Sequence, residues 1–200
     1  MEEIYVKDTY KIIAKHFDKT RYKKWNSIKD FLSTINKEDY IIEVGCGNGK
    51  NLIDLENPKL GIDFVEEFVE ICNKKNIPTI LGNNLNLPIK DNQSDITLSV
   101  AVIHHFSTNE KRLQAIKELI RITKPNGKIF ISVWDINNPR FNISSQDNLI
   151  KWNFNNQIYY RYYYFFQHQE LFNLISSFNV QILNSYSEKG NQIVIFSPLK

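Results

Sequence analysis

The residues best placed to do chemistry begin with Glu43-Val44-Gly45-Cys46-Gly47-Asn48-Gly49-Lys50, three glycines at alternate positions directly after an apolar run. Glycines let a backbone turn tightly and approach a ligand within contact distance, because no Cβ intervenes. Asp63 stands 18 residues beyond Gly45, where an acid can accept both ribose hydroxyls of a bound nucleoside. The spacing is not the dinucleotide pattern G-x-G-x-x-G, and no P-loop G-x-x-x-x-G-K-[ST] is present. A second chemical feature is charge. Residues 1–29 hold eight Lys/Arg against four acids, while residues 30–200 hold seventeen against eighteen. Between positions 11 and 29 the cations Lys11, Lys15, Lys19, Arg21, Lys23, Lys24 and Lys29 face only Asp18. Such a stripe can meet phosphates, and it can equally be a solvated helix face.

The elements that must position these residues follow from hydrophobic period. Residues 6–17 and 25–35 carry apolar side chains at helical spacing. Residues 40–44 read as a buried strand entering the glycine turn. Strands at 60–63, 79–81, 96–101 and 128–133 then alternate with helices at 65–75 and 110–123, the last stopped by Pro125-Asn126-Gly127. Repeated strand–helix–strand order predicts an α/β chain with a parallel sheet covered on both faces. The polar, Asn-rich stretch 137–156 reads as an exposed loop. A strand at 159–166, a helix at 169–178 and strands at 180–186 and 192–196 close the chain.

Length and composition bound the rest. Two hundred residues with 42% hydrophobic and 24% charged side chains fit one globular domain. No apolar run approaches the ~20 residues a membrane span needs, and the acidic Met1-Glu2-Glu3 start is unlike a signal peptide. Cys46 and Cys72 cannot make a disulfide framework or a four-ligand zinc site, which predicts a reducing, intracellular location.

The glycine turn resembles motif I, E-x-G-C-G-x-G, of the class I S-adenosylmethionine-dependent methyltransferases. The resemblance implies a Rossmann-like, mostly parallel seven-stranded sheet with helices on both faces, and S-adenosylmethionine as cofactor. It assigns Glu43, Gly45, Cys46, Gly47, Asn48 and Gly49 to the methionine moiety, and Asp63 with Phe64 to the ribose. It assigns Asn83, Asn84 and Leu85 to adenine, and Ala101 with Val102 to the transferred methyl. Where relatives usually carry Asp, Asn83 offers an uncharged acceptor, so Asn83→Asp is expected to tighten cofactor binding.

Further segments narrow the likeness. Phe17-Asp18-Lys19-Thr20-Arg21-Tyr22-Lys23-Lys24-Trp25, Leu85-Asn86-Leu87-Pro88, Val102-Ile103-His104-His105-Phe106-Ser107-Thr108 and Tyr160-Arg161-Tyr162-Tyr163 are similar to the eukaryotic tRNA methyltransferases that esterify 5-carboxymethyluridine at the wobble position. Only about twenty residues, 137–156, stand where that family often carries a long charged insertion. The resemblance implies that Arg21 holds the substrate carboxylate, with Arg161 as second candidate. It makes His104, ahead of His105, the donor at the end of the fourth strand, and Trp134 with Tyr162 the wall for a splayed-out base. Lys19, Lys23, Lys24 and Trp25 become the RNA contacts.

The same likeness implies a small zinc-binding activator subunit paired with an edge strand near Ile80, beside Ile77 and Leu81, and no metal on this chain. It implies a heterodimer acting on the tRNA anticodon loop in the cytoplasm or nucleus, with no membrane. Residues 1–200 are expected to be one methyltransferase domain. It would comprise a basic helical cap at 1–38, a cofactor core at 39–136, the loop at 137–156 and sheet completion at 157–200. Two other functions fit the residues: a methyltransferase for a small carboxylate metabolite, and a non-catalytic cofactor-binding subunit. Retention of Arg21 and the His-His pair argues against the second.

Overall fold

Alternate residues of the central strands point to opposite sides, and this period of two builds two cores around one sheet. In the computed structural model, which describes residues 1–199, strand β1 (Ile41–Val44) sends Ile41 to one core and Ile42 to the other. Strand β5 (Thr123–Trp134) does the same with Phe130 on one side and Ile129 and Ile131 on the other. Helix α2 (Asn26–Leu32) and helix α3 (Glu66–Lys74) close the first core through Ile28, Phe31 and Cys72. The second is closed by α4 (Asn109–Ile122) and α5 (Glu170–Ser176), through Ile116, Leu119, Leu171 and Ile175.

The other strands are β2 (Lys59–Asp63), β3 (Thr79–Leu81), β4 (Ser94–Val100), β8 (Val180–Glu188) and β9 (Asn191–Pro198). Their order is β3-β2-β1-β4-β5-β9-β8, parallel throughout except that β9 runs antiparallel to both neighbours. The order steps from β1 to β4 in mid-sheet, and ligands of open α/β sheets bind beyond the strand ends at such a reversal. The glycine turn leaves β1 at this point.

Three details differ from the sequence reading. Thr123 already pairs with Ser94, and the register then shifts so that Lys128 pairs with Ile96. Pro125-Asn126-Gly127, with Asn126 at φ +63°, is therefore an excursion within β5 rather than a loop before it. The expected loop at 137–156 instead contains strand β6 (Asp147–Phe154), which forms a separate hairpin with β7 (Gln157–Tyr164). That hairpin packs on α1 (Thr9–Thr20), where Trp152 and Tyr162 join Val6, Tyr10, Ile13 and Ala14. Finally, Ile80 and Leu81 are exposed on the edge strand β3, at 36% and 56%, whereas Ile77 is buried.

Candidate active site

A cavity of about 560 Å³ opens where the glycine turn, the end of β4, α1 and the β6–β7 hairpin meet. Gly45 holds φ +74°, and a Cβ there would lie 2.5 Å from Val102 Cγ2, so the turn packs directly on the segment after β4. The Gly47 N–H donates to Asp63 Oδ2 at 2.8 Å and the Val65 N–H to Oδ1 at 3.0 Å. Each carboxylate oxygen keeps further acceptor capacity, and Asp63 lines the cavity. Asn48 donates through Nδ2 to Asp18 Oδ1 at 3.0 Å and to the Arg21 carbonyl at 3.2 Å, tying the turn to the end of α1. Ala101, a non-glycine residue at φ +61°, lines the cavity as β4 ends. Backbone strain of this kind costs about 1–3 kcal/mol and is typically retained at functional sites.

The walls divide by polarity. Ten buried side-chain polar atoms lack partners among the described residues, and five of them belong to residues lining this cavity. On the β1–β3 side of the sheet they are acceptors: Glu43 Oε2, Asn51 Oδ1 and Asn84 Oδ1. At the opposite, aromatic end they are donors: Trp134 Nε1 and Arg161 Nε. An unpartnered buried group costs about 1–3 kcal/mol, and a ligand recovers that energy where a small side-chain shift brings it within reach of these closed-off atoms. A methionine ammonium and an adenine amine are donors, and they fit the acceptor end. The cofactor implied by the sequence thus suits the residues present.

The donor end centres on Arg161, which is 6% exposed and has no ion pair among the described residues. Its Nη1 donates to the Tyr163 hydroxyl at 2.6 Å and reaches Tyr10 Oη at 3.4 Å. Its guanidinium also lies 4.6 Å from the Trp152 ring centre. Burying a cation without a counter-ion costs several kcal/mol, and an anionic ligand would relieve it. Arg21, the first choice from sequence for this role, is instead exposed at the cavity mouth, over Trp152 at 4.9 Å.

His104 and His105 do not continue β4. They occupy a short 3₁₀ turn (Ile103–His105), so the two rings meet edge to face 4.7 Å apart rather than pointing oppositely. His105 Nδ1 donates to the Tyr162 carbonyl at 2.7 Å, which leaves Nε2 to accept from the Tyr10 hydroxyl at 3.3 Å. His104 Nδ1 accepts from the Trp134 N–H at 3.2 Å, which leaves the ring proton on Nε2. Burial holds His104 well below its ordinary value and lowers His105 to about 3. Both are neutral at pH 7, and both line the cavity. His104 therefore holds the backbone of Trp134 while lining the cavity where the sequence placed its donor role.

Other assignments shift by strand parity. Arg161 and Tyr163 share one face of β7 and line the cavity, while Tyr162 faces the other way and donates its hydroxyl to Asp147. Tyr163, not Tyr162, stacks on Trp134, with centroids 4.1 Å apart and planes at 8°. Trp134 is 8% exposed and has one face covered, so it is a packed member of this wall rather than a bare platform. Asn83 lies outside the lining, its Oδ1 accepting from the Leu85 N–H at 2.9 Å, and Leu85 and Gly49 are outside it as well. A Cβ on Gly49 would lie 2.6 Å from Ile77 Cδ1, so that glycine packs toward the core. Asn84 lines the cavity instead, and Asn84→Ala is expected to weaken S-adenosylmethionine binding roughly tenfold, and more than Asn83→Ala does, by calorimetry.

Glu43, Gly45, Cys46, Gly47, Asn48, Asp63, Phe64, Ala101, Val102, Trp134 and Arg161 all line the cavity, as does Trp25, over which Lys50 Nζ lies at 5.1 Å. Of the expected RNA contacts, Lys19 and Lys23 are exposed, while Lys24 is 12% exposed and paired with Asp54 at 3.2 Å. Arg140 also lines the cavity and was not a candidate from sequence.

The sheet order, the glycine turn on β1 and the polarity of the cavity define an S-adenosylmethionine-dependent methyltransferase. A family model described as a methyltransferase domain matches residues 42–131. The chain is 32% identical over 222 residues to the tRNA (carboxymethyluridine(34)-5-O)-methyltransferase of Schizosaccharomyces pombe, covering 97% of this chain and 96% of that one. It belongs to that family. A probable tRNA methyltransferase 9B of Bos taurus is 35% identical over 154 residues, 76% of this chain. The chain spans only about a third of that relative, 34%. Among solved structures, a Haloferax volcanii complex of the Trm112 methyltransferase activator with a putative methyltransferase contains a chain that superposes with a TM-score of 0.75. Identity there is 15% over 98% of each chain, a likeness of fold.

Proposed function

We propose that this chain methylates the carboxylate of 5-carboxymethyluridine at the wobble position of tRNA, using S-adenosylmethionine and giving the methyl ester. The observation that carries the reading is the sorted cavity, with orphaned acceptors on the β1–β3 side and a buried arginine without an acid at the other end. The names of the relatives supply the nucleic acid and the nucleoside.

The bound cofactor supplies an electrophilic methyl on a sulfonium sulfur. With an ordinary pKa near 4, the substrate carboxylate is already ionised at pH 7, so no residue needs to remove a proton. One carboxylate oxygen gains the methyl, the sulfonium becomes a thioether, and charge balances. The protein aligns oxygen and methyl and excludes water around them. Arg161 holds the other carboxylate oxygen. Its positive charge must not bind the ground state much more tightly than the transition state, where the nucleophile's charge fades. The Tyr163 and Tyr10 hydroxyls on Nη1 temper it by occupying part of its donor capacity.

The exposed β3 edge with Ile80 and Leu81 suits an added strand from a small zinc-binding activator, as the Haloferax pair invites. The test is mass spectrometry of nucleosides from tRNA carrying free 5-carboxymethyluridine, treated with the chain, an activator of that kind and cofactor. The methyl ester is the expected product. Nucleoside left unesterified while a small carboxylate is methylated would transfer the chain to metabolite chemistry.

A further inference from the structure

Arg140 stands on a segment that is anchored at each step. The Asp135 N–H and Asn138 Nδ2 both donate to the Gly190 carbonyl, at 3.0 and 2.8 Å. A Cβ on Gly190 would lie 2.7 Å from Asn138 Cα, so the segment sits flush on the β8–β9 turn. Two side-chain turns fix the path, with the Asn137 N–H on Asp135 Oδ1 at 2.7 Å and the Arg140 N–H on Asn138 Oδ1 at 3.1 Å. Asn138 Oδ1 also accepts from Arg140 Nε at 3.2 Å, which aims the guanidinium. It lies 5.3 Å from the Trp134 ring centre and 5.8 Å from that of Phe141.

Arg140 and Arg21 are alike. Each is exposed, each lines the cavity, each lies over an indole ring, and neither forms an ion pair among the described residues. Arg161 differs because it is buried and takes the deep end. A base extruded into the cavity carries its substituent inward and leaves its sugar-phosphate backbone at the mouth. Guanidiniums parked on aromatic rings at that mouth keep planar donor edges for phosphate oxygens.

Resting on the RNA reading above, we propose that Arg140, with Arg21 as the second guanidinium at the rim, forms a subsite for the backbone phosphodiesters that flank the target nucleotide. Arg161 is left to the carboxylate. The division is by depth. An anion at the rim keeps part of its hydration, whereas one at Arg161 must shed it.

The test uses the full chain with its activator and an anticodon stem-loop carrying 5-carboxymethyluridine, with affinity read by fluorescence anisotropy. Arg140→Ala is expected to weaken binding roughly tenfold and to flatten the log K against log salt slope by about 0.7. Replacing one flanking linkage by a neutral methylphosphonate should weaken wild type similarly and cost Arg140→Ala nothing more. Losses that multiply at every flanking linkage would overturn the subsite. So would an Arg140→Ala loss that vanishes only when the carboxylate is replaced by its amide, because Arg140 would then hold the base. A wild-type chain with no affinity for the stem-loop overturns it outright. Arg140→Lys, which keeps the charge but not the planar fork, should fall between. Cofactor binding by calorimetry reports that each variant is folded. The transfer reading fails separately, through bound RNA that is never esterified.

Discussion

Arg161→Met is expected to lower kcat/KM for the proposed carboxymethyluridine substrate at least about a hundredfold, by the loss of one charge-assisted contact to the reacting carboxylate. The same substitution should leave thermal stability unchanged within about 1 kcal/mol, or raise it. The opposite signs follow from burial without a counter-ion. Three rings lie around the guanidinium, at 5.9 Å (Tyr10), 4.6 Å (Trp152) and 5.1 Å (Tyr163). Each ring returns about 0.5–2 kcal/mol, which offsets but does not exceed the several kcal/mol of desolvation. A methionine fills similar volume and removes the charged group. A residue that merely held the hairpin in place would show the reverse, with stability and turnover falling together. Steady-state kinetics beside thermal melts distinguish the two, and cofactor affinity is the control. Arg161→Lys keeps the charge yet cannot replace the guanidinium's fork, so intermediate turnover is expected.

The sheet, the glycine turn and Asp63 were legible because each is written locally. An apolar run of four or five residues followed by glycines has few other physical solutions, and the core strands alternate faces as expected. The hairpin was not legible. Asn148, Lys151, Asn153, Asn155 and Asn156 dilute its period, and the burial of Trp152 comes from His16 and Phe17, more than 130 residues earlier. Arg161 and Tyr162 were assigned together to the site, although a strand cannot turn consecutive side chains to one face. Parity alone favoured Tyr163. The end of the fourth strand misplaces the two histidines for the converse reason: they form a 3₁₀ turn that brings both rings together beside the cavity. Arg140 carries a local signal of its own. Asp135-x-Asn137 and Asn138-x-Arg140 have the spacing of side-chain-capped turns, which order a polar segment without any apolar residue. The acid-free surroundings of Arg161 could not be read at all, since they depend on which elements meet.

Cofactor affinity is expected to rise with pH and level off above about 7. Burial pushes the Glu43 carboxyl up to about 7, and its Oε2 has no partner among the described residues, while Oε1 accepts from Asn51 at 2.6 Å. Burial likewise raises Asp63 to about 6, against the pull of the Val65 and Gly47 N–H groups. In the cofactor-free chain both therefore hold a proton at pH values where an unfolded carboxyl has lost it. For these two groups, folding stability is fully present below their unfolded values near 4 and is lost as pH rises through 6 and 7. Binding has the opposite sign. A ligand that brings an ammonium and a sulfonium favours the ionised carboxylates, so each must release its proton for the cofactor to be held. Below 7 the dissociation constant should increase about tenfold per pH unit while one proton is released, and more steeply once Asp63 also titrates. Calorimetry at pH 6 in buffers of different ionisation enthalpy should count between one and two protons released per cofactor bound, about one from Glu43 and about half of one from Asp63. Glu43→Gln should bind more weakly at pH 7.5 and lose most of the dependence between 6 and 7.5, because the amide presents the same shape with no proton to release. An affinity independent of pH in wild type would mean that the acceptor end of the cavity is already charged before the cofactor enters, and the sorting of orphaned atoms along its walls would lose its meaning.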